Sequence, residues 1–357
     1  MDRLTEDHLS GIRKILVIQL GPFGDALLTT SYFESLKSRL PDASLDYLVK
    51  EPYDKIIRDH PAIDEIIVIP LRGGIGYALE RLKTVRRIRS RGYDLVIDQQ
   101  NMPSSQQLTL LSGAPYRLGY RDARLSWAYN LKAGRGPLRY SASRKFDILG
   151  PLGIEERPYR LLFSIPGQAQ EHVDSWLENT PFGHGEAICV SPGSPVRHKR
   201  WSPDGFARLV DLIQSQTCLR VLLLWGPGER EDVNAVASRM ETAPLVAPPT
   251  DLYQAAALVK RCRLLICNDG GLNHIAVTTG TPTLAIFGPT DPVAWSPASV
   301  FPTHHHLHCP DCDCANDDSF GISPGIAFDK VVEILEHQGD GVQPREDGKQ
   351  RRTGGRS

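Results

Sequence analysis

The segment Asn268-Asp-Gly-Gly-Leu-Asn-His274 has the residue types and spacing that speak most directly to chemistry. An apolar run ends in Asp269, Gly270 and Gly271, and a helical stretch starts near Leu272. Amides at a helix start lack intrahelical acceptors and carry partial positive charge, so they seat an anion such as phosphate. His274, in the first turn, would add a donor to the same anion. A further apolar run ends in Gly288-Pro-Thr290, which puts a hydroxyl on the neighbouring loop. The same residues also fit an ordinary helix after a strand, with Asp269 as its cap and His274 as a structural histidine.

Two more loops have the same character. Ser191-Pro-Gly-Ser194-Pro-Val-Arg-His-Lys199-Arg-Trp201 follows an apolar run and precedes a helical one. Its small residues let a ligand approach the backbone, Ser194 offers a hydroxyl, and Lys199 supplies a compact cation suited to a diphosphate. Arg197 and His198 also read as solvated loop charges. Trp225-Gly-Pro-Gly-Glu229 places a carboxylate where ribose hydroxyls would donate to it, or where it complements a helix dipole. Phosphate donors, a cation and a ribose acceptor together describe a nucleotide diphosphate site. There is no G-x-G-x-x-G after the first strand and no Walker lysine motif, which disfavours dehydrogenase and kinase readings. In the first half, Gly21-Pro-Phe-Gly24-Asp25 puts a carboxylate on a turn, where it would take a proton from an attacking hydroxyl or cap a helix.

The elements that must position these loops alternate between short apolar runs and amphipathic stretches, the pattern of parallel sheets covered by helices. Strands are expected at Lys14–Leu20, Leu45–Val49, Glu65–Ile69, Asp94–Asp98, Ala187–Ser191, Arg220–Trp225, Arg263–Asn268 and Thr283–Phe287. Leu28, Tyr32, Leu36 and Leu40 mark a helix that Pro41 ends. A basic helix is expected to turn Leu79, Leu82, Val85 and Ile88 inward. A polar stretch from Ser164 to Glu186 reads as an interdomain linker. The chain therefore divides into an N-terminal domain, 1–165, a C-terminal domain, 166–338, and a tail, 339–357, whose composition predicts disorder. Open α/β sheets bind ligands at the carboxyl ends of their strands, so two such domains are expected to present these loops to a central cleft.

With 357 residues the chain suits two domains, and 41 Lys and Arg against 42 Asp and Glu give no basic excess for nucleic acid. It contains no apolar run long enough to span a membrane, and its first residues lack a signal peptide's apolar stretch, so a cytoplasmic location is expected. Cys189, Cys218, Cys262 and Cys267 lie singly in apolar runs and read as small buried hydrophobes.

In order and spacing these motifs resemble the heptosyltransferases of glycosyltransferase family 9, from about Lys14 to Ile334. The resemblance is carried by Gly24-Asp25-Ala-Leu-Leu-Thr-Thr30, Arg117-Leu-Gly-Tyr120, Tyr129-Asn130 and Asp147-Ile-Leu-Gly-Pro-Leu-Gly-Ile154. Pro192-Gly193 with Lys199 and Trp201, Asp269-Gly-Gly-Leu-Asn-His274 and Gly288-Pro-Thr290 complete it. The resemblance implies a GT-B fold of two Rossmann-like doubly wound domains, the first binding acceptor and the second the nucleotide sugar. It implies Asp25 as general base, with Ser194, Lys199, Glu229, Asp269 and His274 on the donor and the Gly270, Gly271 and Leu272 amides near its phosphates. It implies ADP-heptose as donor, inversion at the anomeric carbon without a required metal or other cofactor, and transfer to the lipopolysaccharide inner core. That acceptor is lipid-anchored at the inner face of the membrane, so Arg117 and Arg121 are acceptor-side candidates and peripheral membrane association is expected. Arg81, Arg86, Arg87, Arg89 and Arg124 would join them in a basic face, or form ordinary solvated charge. Ser194 stands where the family commonly has Thr, Gly270 where it has Ser or Thr, and Trp201-Ser-Pro203 has one residue more than the usual Trp-Pro.

Cys309-Pro-Asp-Cys312-Asp-Cys314, preceded by His304, His305, His306 and His308, has the density of a metal site, but a second Cys pair at a distance is missing. Reduced surface thiols are the expectation, with Cys309, Cys312 and Cys314 as possible ligands of iron or zinc. Three other readings stay open: a family member glycosylating a protein or another glycan, a sugar-nucleotide epimerase, and a catalytically silent sugar-nucleotide binder.

Overall fold

A computed structural model describes residues 3–71, 74–180, 187–314 and 317–337. The tail expected to be disordered lies outside the described residues. Among the described residues twelve strands form two six-stranded sheets in which every pairing is parallel. The first holds β1 (Lys14–Ile18), β2 (Ser44–Lys50), β3 (Glu65–Ile69), β4 (Leu95–Asp98), β5 (Tyr116–Tyr120) and β6 (Leu131–Ala133) in the order 3-2-1-4-5-6. The second holds β7 (Ala187–Ser191), β8 (Arg220–Leu223), β9 (Leu245–Val246), β10 (Leu264–Asn268), β11 (Thr283–Phe287) and β12 (His304–His308) in the order 12-11-10-7-8-9. Renumbered from its own first strand, the second sheet has the same order as the first, and both are doubly wound. Order reverses between β1 and β4 in one sheet and between β7 and β10 in the other. Crevices open at the carboxyl ends of strands at such points.

Parallel strands covered on both faces read as continuous apolar runs, and β7, β10 and β11 are buried along their whole length. Ile188, Val190, Ile266 and Ile286 pack with Phe206, Val210 and Ile213 of the helix Pro203–Gln216 and with Val331 and Leu335 of the helix Pro324–His337. In the first sheet Leu16, Ile18, Leu48 and Val96 pack with Ile88 and Leu108.

Contacts gather the chain into two compact units. Of the described residues, one unit contains those up to Gly167 together with Gly270–Gly280 and Asp291–Pro302; the other contains those of 168–269, Thr281–Thr290 and those from Thr303 to His337.

Several local expectations need correction. On the helix Gly74–Arg91, Leu79 is 54% exposed and Leu82 49%, whereas Ile88 is fully buried. Steps of three residues fall about 60° short of a full helical turn, so four residues spaced this way spread over about 180° and cannot all face inward. Cys218 is exposed, because it sits in the turn between a helix and β8 with Thr217 and Leu219 buried on either side. The stretch read as a linker contains the helix Gly167–Glu178, whose Ala169, Val173 and Leu177 repeat every four residues and are buried. β5, β6, β9 and β12 are short or polar strands that apolar runs do not mark.

Candidate active site

In the second unit, the crossover between β7 and β10 brings two of the sequence candidates together. Lys199 Nζ lies 2.6 Å from Asp269 Oδ2. Asp269 is buried and Lys199 is half-buried. This excludes a capping role for Asp269, since the following helix Gly271–Thr279 starts from Gly270 with no side-chain cap. The loop that carries Lys199 is held by Asn268, the last residue of β10 and 3% exposed, which no motif marks as a structural tie. Its Oδ1 accepts from the Trp201 amide at 2.9 Å, and its Nδ2 donates to the Pro192 carbonyl at 2.7 Å. One side-chain amide thus ties both ends of the Ser191–Trp201 loop to the strand beside it.

The rest of that loop is similarly braced. Ser194 is buried, its hydroxyl accepting from the Val196 amide at 3.3 Å. Arg200 donates from Nε to the Ser194 carbonyl at 2.7 Å, and its Nη1 lies 2.5 Å from Asp232. Arg197 and His198 are exposed. Glu229 lies under the loop: its Oε2 accepts from the Gly226 amide at 2.9 Å, and burial pushes its carboxyl above the usual range. A Cβ on Gly193 would stand 2.6 Å from Glu229 Cδ, so only glycine lets the loop lie this close. Thr290, after β11, is half-exposed.

In the first unit, Asp25 lies in the first turn of the helix Phe23–Thr29, which starts from Pro22 without a side-chain cap. Capping is therefore not its role. Asp25 Oδ1 accepts from Lys145 Nζ at 2.7 Å, and Lys145 is 9% exposed. Among the described residues no donor is bonded to Oδ2. His274 is brought beside this turn: a Cβ on Gly24 would stand 3.3 Å from His274 Cδ2. His274 Nδ1 shares a 2.9 Å hydrogen bond with the Tyr140 hydroxyl, both side chains being buried. Phe23 packs so closely on Gly271 that a Cβ there would meet its ring at 2.7 Å. The amides of Gly271 and Leu272 open the nine-residue helix and have no intrahelical acceptors.

Residues 81–319 match the model of glycosyltransferase family 9 (heptosyltransferase). The chain belongs to glycosyltransferase family 9. Lipopolysaccharide heptosyltransferase 3 of Escherichia coli K12 is 27% identical over 289 residues, 77% of this chain and 82% of the relative. The glycosyl transferase family 9 structure from Veillonella parvula DSM 2008 superposes with a TM-score of 0.79 at 24% identity, covering 92% of this chain and 99% of that one. The E. coli heptosyltransferase WaaC, solved with ADP-2-deoxy-2-fluoro heptose, gives 0.68 at 22% identity, covering 90% and 99%. The fold is GT-B, and the chemistry of the family is glycosyl transfer.

Two further features of this glycosyltransferase are invisible in its motifs. Lys145 lies 120 residues from Asp25 and carries no local signal. Asp98, at the end of β4, is fully buried, and burial pushes its carboxyl up to about 6 against the hydrogen bonds that would lower it. The Tyr129 hydroxyl donates to it at 2.7 Å and the Asn101 amide at 3.1 Å, so Asp98 fixes the loop beyond its own strand. Arg117, an acceptor-side candidate, donates to the carbonyls of Ala128 and Ala114 at 2.9 and 2.8 Å, while Arg121 is exposed.

The cysteine cluster departs from expectation. Cys309 and Cys312 form a disulfide across a four-residue turn, with Cα atoms 5.5 Å apart, and Cys314 is a free thiol. The expectation of reduced thiols takes no account of a turn that brings two Sγ atoms together. Among the described residues no three His, Cys, Asp or Glu are grouped to hold a metal. The histidines belong to β12, where Thr283 and His304 Nδ1 share a 2.9 Å hydrogen bond. The segment after the disulfide supports the Ser191–Trp201 loop and the residue after it: the carbonyls of Asp318 and Ser319 accept from Ser202 N and Trp201 Nε1, each at 2.8 Å. Phe320 fills the space that glycine leaves at Gly288.

Proposed function

We propose that this family 9 glycosyltransferase moves heptose from ADP-heptose to a hydroxyl of the lipopolysaccharide inner core, inverting the anomeric carbon, with no required metal. The observation that carries the reading is Asp25, freed from helix capping and held at one oxygen by Lys145. A carboxylate so held has its other oxygen available to take the acceptor proton. As the acceptor oxygen bonds to the anomeric carbon, the bond from that carbon to the diphosphate oxygen breaks, the proton passes to Asp25 and ADP leaves. Lys199 and the amides of Gly270, Gly271 and Leu272 would stabilise the charge on the leaving diphosphate, and His274 would donate to it. Glu229 would accept from the ribose, Ser194 and Thr290 would supply hydroxyls, and Asp269 would aim Lys199. In this reading residues 1–165 bind the acceptor, with Arg117 and Arg121 on that side, and residues 166–338 bind the nucleotide sugar.

That the E. coli heptosyltransferase WaaC is solved with ADP-2-deoxy-2-fluoro heptose supports ADP-heptose as the donor. No helix among the described residues is long and apolar enough to cross a membrane, which fits a peripheral enzyme at the cytoplasmic face. Calorimetry with ADP-heptose, a UDP-sugar and a GDP-sugar tests the donor; binding of either of the latter without the ADP sugar defeats the heptose assignment. Asp25→Asn should lower transfer by about 10²–10⁴-fold with donor affinity kept. Transfer near the wild-type rate in that variant removes Asp25 as base.

A further inference from the structure

The helix Gly74–Arg91 carries six cations, Arg81, Lys83, Arg86, Arg87, Arg89 and Arg91, against the single acid Glu80. Three of the arginines are engaged with the body of the protein. Arg81 Nη2 donates to the Ser104 carbonyl at 3.0 Å, Arg87 pairs with Glu65 at 2.7 Å, and Arg91 pairs with Asp46 at 2.9 Å. Glu80 is taken up by Lys83 at 2.9 Å. The exposed positions include Leu79, Leu82, Lys83 and Arg86, which fall within an arc of about 100° at 3.6 residues per turn, with Arg89 at its margin. Arg86 and Arg89 are exposed, and among the described residues neither has an acidic partner.

Two half-exposed leucines on a cationic stripe are a costly surface to leave in water. The neighbouring helix Pro103–Leu111, reached through Arg81, has Leu111 at 46% exposure and, just before its start, Met102 at 52%. A helix with apolar residues and Lys or Arg on its outward face lies in the interface of an anionic bilayer, where each cation adds Coulomb attraction and the leucines enter the acyl boundary.

We infer that the outward face of Gly74–Arg91 is a membrane-docking surface, with Leu79 and Leu82 inserting and Lys83, Arg86 and Arg89 meeting anionic lipid headgroups. The inference rests on the reading that the acceptor is lipid-anchored, and it names the face that brings the enzyme to it. The full chain is sedimented with vesicles of phosphatidylcholine alone and of phosphatidylcholine and phosphatidylglycerol in equal parts. Wild type should partition onto the anionic vesicles, and added salt should weaken that partition. Lys83→Gln with Arg86→Gln should lower the partition coefficient by roughly 25-fold, about fivefold per charge. Leu79→Gln with Leu82→Gln should lower it by roughly tenfold. Both variants change exposed positions, so circular dichroism should show them folded, and both should transfer sugar to a lipid-free acceptor at the wild-type rate. No binding to anionic vesicles, or leucine variants that bind like wild type, overturns the inference. Concentration-dependent self-association that the leucine variants lose, without vesicle binding, also overturns it and assigns the face to a second copy. Transfer to soluble acceptor without vesicle binding defeats this inference alone; vesicle binding without any transfer defeats the proposed function alone.

Discussion

Replacing Asn268 with Ala should loosen the loop that carries Ser194 and Lys199. The substitution removes two hydrogen bonds at once, leaving the Trp201 amide and the Pro192 carbonyl without the Asn268 side chain that pairs them. Trp201 is 1% exposed and Pro192 is buried, so water cannot readily replace the lost partner. Each orphaned buried group costs about 1–3 kcal/mol, and relaxation of the loop recovers part of it, giving about 3 kcal/mol in all. At about 3 °C per kcal/mol for a unit of this size, the melting midpoint should fall by roughly 9 °C. Differential scanning calorimetry reads that shift, and titration with the nucleotide sugar should show weaker binding in the same variant. Asn268→Asp separates hydrogen bonding from volume. It keeps an acceptor for the Trp201 amide but turns a carboxylate oxygen toward the Pro192 carbonyl, so it should be at least as destabilised as the alanine variant. A midpoint within about 1 °C of wild type for Asn268→Ala would refute the reasoning, as would a stable Asn268→Asp.

Other substitutions test other parts of the structure. Gly193→Ala should cost about 1–3 kcal/mol by driving a Cβ into Glu229, and a double-mutant cycle with Glu229→Ala should recover most of that loss. Burial lowers the His60 pKa to about 4, so its folded form binds a proton less readily than the unfolded chain. Its contribution is complete above about pH 6.5 and is lost as pH falls toward 4; His60→Asn should therefore gain about 3 kcal/mol on wild type across that window, read from urea midpoints. Asp98, raised to about 6, works in the opposite sense, contributing fully below about pH 4 and losing that contribution as pH rises through 6. Under non-reducing native conditions iodoacetamide should label Cys218 fastest and Cys314 more slowly, its thiol being raised by burial. Mass spectrometry should find Cys309 and Cys312 modified only after reduction; labelling of both without reductant would argue against the disulfide.

The sequence by itself determined the fold class and the loops that matter. Strands buried on both faces must be continuous apolar runs, so β1, β7, β10 and β11 were legible. Gly-rich turns at their ends singled out Asp25, Lys199, Glu229 and Asp269, because residues at strand ends face ligand in such sheets. What tertiary structure alone decided is which of these residues meet, and what holds them. Lys145 reaches Asp25 across 120 residues and Asn268 ties down Trp201 across 67, and no local pattern encodes either partnership. The outward leucines were misread for a related reason: three-residue spacing is compatible with a helix, but only packing fixes which arc of it faces the core. Periodicity reports a residue's direction relative to its own element; partners depend on where other elements are placed, which the chain settles only when it folds.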